Sequence, residues 1–554
     1  MSRALLLAAA LAFALAWFAG LDHRKLARAD ESRYGEIPRE MIASGDWLTP
    51  RLNGYKYFEK PPLQYWATAA AFKAFGVGEW TARLWPALTG FAGVLLVFFF
   101  ARRVFGPDAG LYAAAALAGS LLYVAMGHIA TLDMGVSIFL SLAVFAFLLA
   151  QLDATKPRAR RRWMLTAWGA AALAVLSKGL IGVVLPAGAV AAYVLWQRDW
   201  GLLRRLHLGA GLSVFLLIAA PWFIAVSLAN PEFARFFFIH EHFERFLTKV
   251  HDRYEPAWYF LPVLAAGILP WLVSFVAALW QAARAAEPAR FRPRLFLLLW
   301  CATVLAFFSA SGSKLASYIL PLFPAAALLV GCQLAQASRV LLAVQAGLAA
   351  LLGAVLVALA PRIPHLGMTR VPAELVAAYA PWLTAAGAAL FVLAAASAAL
   401  AWRGRRTASV LALSAAALAF VQLALAGRET LSPAYSAYHA VERARAALLR
   451  AAPGTTRPFF DAPFYVVDAY DHTLPFYLGR TVTMVASQDE LSPSIAWEPE
   501  KFVADMPRFL ERWRAAPRAY AAFRPAAFAE FRERYAPEAT VLGEDINLVI
   551  VQKP

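Results

Sequence analysis

Runs of apolar residues, each close to the length that spans a bilayer, recur along the first 426 positions and constrain this chain more than any other feature. They cover 4–21, 82–101, 109–126, 134–152, 164–178, 180–197, 207–228, 257–281, 295–310, 315–335, 339–360, 381–402 and 407–426, thirteen in all. About 20 apolar residues in a helix cross about 30 Å of hydrocarbon, and a backbone in lipid must satisfy its polar groups internally, so each run is predicted to be a helix. A chain that is 61% hydrophobic and 16% charged, with a mean hydropathy of +0.57, is far too apolar for a soluble domain. The class is a polytopic α-helical membrane protein. The first run competes with a signal peptide; its length and the polar loop behind it favour an uncleaved anchor.

An odd number of spans sets the termini on opposite sides. The pairs Arg102/Arg103 and Arg204/Arg205 with Arg198, the stretch Lys156 to Arg162, Arg284 to Arg294, and Arg403 to Arg406 fall on one side, which the positive-inside rule makes cytoplasmic together with the N-terminus. Arg24, Lys25 and Arg28 land on the other side and read as headgroup or substrate contacts. A net charge of +17 distributed through such loops describes topology, not nucleic-acid binding. Cys301 and Cys332 sit in apolar runs, so no disulfide framework or thiolate metal site is expected. From 427 to 554 charge returns to ordinary soluble density, and β-like runs (464–467, 481–485, 540–542, 547–552) alternate with helical patterns (435–449, 498–514, 526–535). A membrane catalytic domain over 1–426 and a small soluble α/β domain over 427–554, on the outer face, are expected.

Polar chemistry gathers in the outer loops, above all in 22–80 and 229–256. The stretch 26–62, LARADESRYGEIPREMIASGDWLTPRLNGYKYFEKPP, sets charges and aromatics directly behind a membrane span. Helical patterning over 31–45 and 61–76 predicts two short interfacial helices. Asp30 reads either as a helix cap or as a catalytic carboxylate, and Glu31 as a partner for the helix dipole. Lys60 reads as a snorkelling anchor, and Asp133 as a cap at the start of a span. Lys178 is harder to treat as structural, being set deep between two apolar runs. Glu59 with His240 offers oxygen and nitrogen ligands for a divalent cation, zinc by donor type, against a plain solvated loop. Tyr57/Phe58 and Phe236 to Phe238 read as interfacial belt.

The string ARADESRYGEIPREMIASGDWLTPRLNGYKYFEKPPLQYW closely resembles the first outer loop of bacterial lipid A aminoarabinose transferases. The resemblance extends to Asp133 in ATLDM, the SKG turn at Lys178, the loop with His240 and Arg245, and SGSKLASYILPLFPA at 311–325. A more distant likeness to protein O-mannosyltransferases rests on Asp30 and Glu31. The resemblance implies the GT-C fold, and an inverting transfer of 4-amino-4-deoxy-L-arabinose from undecaprenyl phosphate to a lipid A phosphate at the periplasmic face of the inner membrane. Masking that phosphate would give resistance to cationic antimicrobial peptides such as polymyxin.

It further implies Asp30, Glu31 and Asp133 as catalytic residues, and Arg33, Tyr34, Tyr57, Lys60, Lys178, Arg245 and Tyr318 as substrate contacts, with Glu59 and His240 holding any metal. Fixed cations suit a phosphate leaving group whose charge grows in the transition state. An acceptor phosphate is ionised already, so Asp30 is expected to position as much as to deprotonate. The rival reading is a lipid-sugar flippase or transporter, which would hold its polar groups near the midplane; a sibling transferase with another sugar or a protein acceptor differs only in substrate. A monomer, with Asp30, Glu59, Lys60, Asp133, His240 and Arg245 converging just above the membrane, is expected.

Overall fold

A computed structural model of the chain describes residues 3–244, 255–285, 289–366, 371–454, 456–487, 490–536 and 538–553. All thirteen apolar runs fall on helices. Those nearest the site are α1 (Arg3–Phe18), α2 (Asp30–Ser44), α3 (Leu63–Phe75), α4 (Glu79–Phe105), α5 (Pro107–Ala118), α6 (Leu121–Gly127), α7 (Asp133–Gln151), α8 (Pro157–Lys178) and α9 (Ile181–Gln197). Among the described residues seven helices are long and apolar enough to span alone, and nine spans result if two bent pairs each count once. Helix α8 escapes that count because Arg158, Arg160, Arg161 and Arg162 crowd its start.

The bent pairs show how a membrane interior tolerates a break. Helices α5 and α6 meet at 67°, and Phe260–Gly267 meets Leu272–Arg284 at 111°. Each break frees backbone groups that lipid cannot satisfy; here the two breaks meet, with the Leu121 amide donating to the Leu269 carbonyl at 3.2 Å. Elsewhere glycine lets helices approach. A Cβ on Gly353 would lie 2.6 Å from the Gly387 carbonyl oxygen, and one on Gly331 2.6 Å from that of Ala109. Small residues at such crossings replace the hydrophobic drive that lipid abolishes.

Beyond the last span the soluble domain forms a five-stranded sheet. With β1 (Arg51–Leu52) and β2 (Tyr55–Lys56) as a hairpin between α2 and α3, its strands are β3 (Phe464–Val467), β4 (Thr483–Val485), β5 (Ala519–Phe523), β6 (Thr540–Glu544) and β7 (Val549–Lys553), in spatial order β4-β3-β5-β7-β6. Strand β3 is parallel to β4 and β5, and β7 is antiparallel to β5 and β6. Alternation along β3 and β5 sends Tyr465, Val467, Ala521 and Phe523 into a core with Phe509, Trp513 and Phe531. Phe464, Val466, Tyr520 and Ala522 face the other way, into a core shared with Tyr34, Ile37, Met41, Tyr55, Tyr57 and Tyr65 of the segment between α1 and α4. The sheet therefore lies over α2 and the hairpin, which is why Glu31 through Met41 are buried although α2 precedes the bundle.

Candidate functional site

Helices α2 and α3 and the hairpin stand where the loop helices are expected, and α2 starts at Asp30 itself. Asp30 is not a cap: Ala29 holds the cap position and its methyl group makes no capping hydrogen bond, while Asp30 Oδ1 accepts from Arg33 Nη1 at 3.1 Å. Its side chain keeps 40% of its exposure, against 6% for Arg33. Arg33 is anchored from behind by Glu490 of the soluble domain, through Nε at 3.1 Å and through Nη2. Its guanidinium lies 5.9 Å from the ring centres of both Tyr34 and Tyr57.

Glu31 points the other way. It is 3% exposed and holds Arg83 of α4, which is fully buried, through two bonds of 2.8 and 3.0 Å. Arg83 also donates to the Leu21, Arg24 and Lys25 carbonyls, and Glu31 accepts from the Ala130 amide at 3.2 Å. Burial pushes the Glu31 carboxyl up, but Arg83 and Arg24 overcome it and hold the pKa down at about 2. The geometry makes this pair a clamp joining α1, α2, α4 and the loop before α7. The neighbouring cations also have partners within the protein: Arg24 is buried against the His128 carbonyl, Lys25 bonds Glu79 at 3.0 Å, and Arg28 reaches Asn547 at 3.0 Å.

Lys60 lies between carboxylates, 2.9 Å from Glu241 and 3.9 Å from Glu59. Glu241 belongs to a π-helical stretch, Arg235–Glu244, in which Phe236 stacks on His240 at 5.1 Å. Trp497 of the soluble domain closes over Phe58 and Phe236, with ring centres 5.6 and 5.2 Å away. Asp133 opens α7 and pairs with Lys178, the last residue of α8, whose ammonium lies 4.6 Å over the Tyr318 ring. Two contacts join this pair to the rest: Leu132 packs in the same core as Tyr34 and Tyr57, and Leu176 in the same cluster as Phe58. The hydroxyls of Tyr57 and Tyr65 are buried without a hydrogen-bond partner among the described residues, and burial raises both pKa values far above the ordinary range, so both stay neutral donors.

Asp30, Arg33, Tyr34, Tyr57, Glu59, Lys60 and His240 thus share one neighbourhood, with Asp133, Lys178 and Tyr318 alongside; Arg245 lies outside the described residues. Among the described residues no group of three or more His, Cys, Asp or Glu side chains could hold a metal. Sequence reasoning missed Arg83, whose signal was a charge inside an apolar run. It also missed Glu490, which carried no signal, because its partner is 457 residues away.

Two family models match the chain: dolichyl-phosphate-mannose-protein mannosyltransferase over residues 2–237, and aminoarabinose transferase C-terminal domain over 456–553. Curated relatives named undecaprenyl phosphate-alpha-4-amino-4-deoxy-L-arabinose arabinosyl transferase include one from Pseudomonas fluorescens, 36% identical over 331 residues, and one from Edwardsiella ictaluri, 35% identical over 327. Each alignment takes in 58% of this chain; the chain spans only 56% and 58% of those relatives' lengths. The crystal structure of ArnT from Cupriavidus metallidurans bound to undecaprenyl phosphate is 37% identical with a TM-score of 0.92, covering 100% of this chain and 98% of that one. The oligosaccharyltransferase AglB from Archaeoglobus fulgidus, 15% identical, covers 94% of this chain and 69% of its own with a TM-score of 0.52, a likeness of fold.

Proposed function

We propose, from the premise that this chain belongs to the ArnT family of aminoarabinose transferases, that it transfers 4-amino-4-deoxy-L-arabinose from undecaprenyl phosphate to a phosphate of lipid A. The observation that carries the reading is the full-length match, at 37% identity, to an ArnT that holds undecaprenyl phosphate. The site chemistry supports it. As the glycosyl-phosphate bond breaks, negative charge grows on the leaving phosphate, and cations already held in place stabilise it without reorganising. Lys60 is held in that role by Glu241, and an arriving phosphate would share or displace that contact. Lys178, steadied by Asp133 and the Tyr318 ring, is the second fixed cation; the family resemblance adds Arg245 as a further phosphate contact.

Asp30 presents a carboxylate to the anomeric carbon and favours its oxocarbenium character. It positions the acceptor without deprotonating it, since the attacking phosphate is ionised near neutral pH. The transfer is a single inverting displacement. Tyr34, Tyr57 and Arg33 orient sugar and phosphate, and Glu31 acts through the Arg83 clamp. A divalent cation, zinc by donor type, is proposed at Glu59 and His240, with no step above passing through it; turnover insensitive to chelators would remove it.

The site is assigned to the periplasmic face of the inner membrane. Helix α7 runs from Asp133 to Gln151, 19 residues, or roughly 28 Å at 1.5 Å each. At its far end Asp153, Asp199, Arg205 and Arg290 join in one charged cluster. Basic loops mark that end as cytoplasmic, so the site and the soluble domain lie opposite, in reach of lipid A. Mass spectrometry tests the reading: membranes with this chain and the donor lipid should yield lipid A heavier by one aminoarabinose, and Asp30→Ala should abolish the product. Unmodified lipid A, with the donor moved across the bilayer, would select the flippase instead.

A further inference from the structure

Where Asp30 needs to be held still, the holding group comes from the other end of the chain. Arg33 has a planar fork whose nitrogens point in fixed directions. Glu490 takes two of them, leaving Nη1 directed at Asp30 Oδ1. Behind Glu490, His472 closes the chain at 2.6 Å, itself packed on the Tyr470 ring at 4.9 Å. Along this relay the side chains are 40% exposed at Asp30, 6% at Arg33, 21% at Glu490 and 7% at His472, so the Asp30 carboxylate is the most open member and the end that a substrate can reach.

We propose that Glu490 is a positioning residue for the sugar transfer: it clamps Arg33 so that a single guanidinium nitrogen orients Asp30, and thereby makes the soluble domain part of the active site. The proposal rests on the transferase reading above. Were Glu490 absent, the freed fork of Arg33 would close on Asp30 with both nitrogens, turning and neutralising the carboxylate. Domain attachment does not depend on this pair. The sheet is also tied to the first loop by two Asn53–Val482 bonds of 2.9 and 2.8 Å, by Arg39 to the Gly479 carbonyl at 2.9 Å, by Ser494 to the Lys56 carbonyl at 2.6 Å, and by Arg51 to Glu498 at 3.1 Å.

The test compares purified wild type, Glu490→Ala, Glu490→Gln, Arg33→Ala, the double variant Arg33→Ala/Glu490→Ala, and Arg51→Ala as a docking control. Glu490→Ala should lose about 10²-fold in kcat, the cost of a displaced reacting group, with donor KM within about threefold. Glu490→Gln keeps the volume and one acceptor and should fall between. Since Glu490 acts only through Arg33, the double variant should lose no more than Arg33→Ala alone. Arg51→Ala should lower the melting temperature as much as Glu490→Ala yet keep wild-type kcat. Wild-type kcat in both Glu490 variants, losses that multiply in the double variant, or an equal fall in kcat for Arg51→Ala would each overturn the proposal while the transferase reading stands. No transfer by the wild type would defeat the transferase reading first, and this proposal with it.

Discussion

Asp30 and Glu31 are adjacent in sequence, but successive residues on a helix point about 100° apart, and the two carboxylates have different work. Asp30 keeps a 40% exposed side chain, whereas Glu31 joins Arg83 in the protein interior. Removing one member of a buried pair strands the other, at about 3–5 kcal/mol, so Glu31→Gln should melt well below wild type in detergent. The pH dependence follows from the sign. A carboxyl near 4.5 when unfolded and at about 2 when folded adds stability that is complete above about 4.5 and is lost as pH falls toward 2. Wild type and Glu31→Gln should therefore differ fully above about pH 5 and draw together only as pH falls from about 4.5 toward 2; a gap constant with pH would place the effect elsewhere. Lys60→Ala should cut turnover by about 10²-fold with the chain still membrane-inserted, and near-normal turnover would remove Lys60 from phosphate stabilisation.

At the scale of elements, legibility followed the strength of the local pattern. Each apolar run became helical, two of them as bent pairs, because lipid leaves the backbone no alternative. The breaks within 109–126 and 257–281 were invisible in hydropathy, since they depend on two loops that satisfy each other. In the soluble domain the expected strands formed, but the central one, β5, was missed: its sequence AYAAF reads as helical, and it pairs as a strand only because β3 and β7 flank it. The partners of the cations after the first span were illegible for a similar reason, Glu79, His128 and Asn547 being distant in sequence. Helix crossings are testable at Gly353, where any Cβ would meet the backbone of the Ala373–Trp402 helix. Gly353→Leu should force those helices apart and lower the detergent melting temperature by several degrees, whereas the same change at Gly347, where a Cβ would meet no heavy atom within 4 Å, should be nearly silent.

For the whole molecule, the sidedness of the site decides whether lipid A can reach it. The charged outer loop, the sheet above it and the entry to α7 form one end of the protein, since they share a core. The basic clusters form the other, at the far end of α7. A cysteine reporter separates these ends cleanly, because the two native cysteines, Cys301 and Cys332, are both buried and should react slowly. Glu511 on the soluble domain and Arg161 at the start of α8 are both exposed. In intact spheroplasts a membrane-impermeant maleimide should label Glu511→Cys and spare Arg161→Cys; after lysis both should react. Labelling of Arg161→Cys in unbroken cells, with Glu511→Cys protected, would turn the protein over, set the site in the cytoplasm and take lipid A out of its reach.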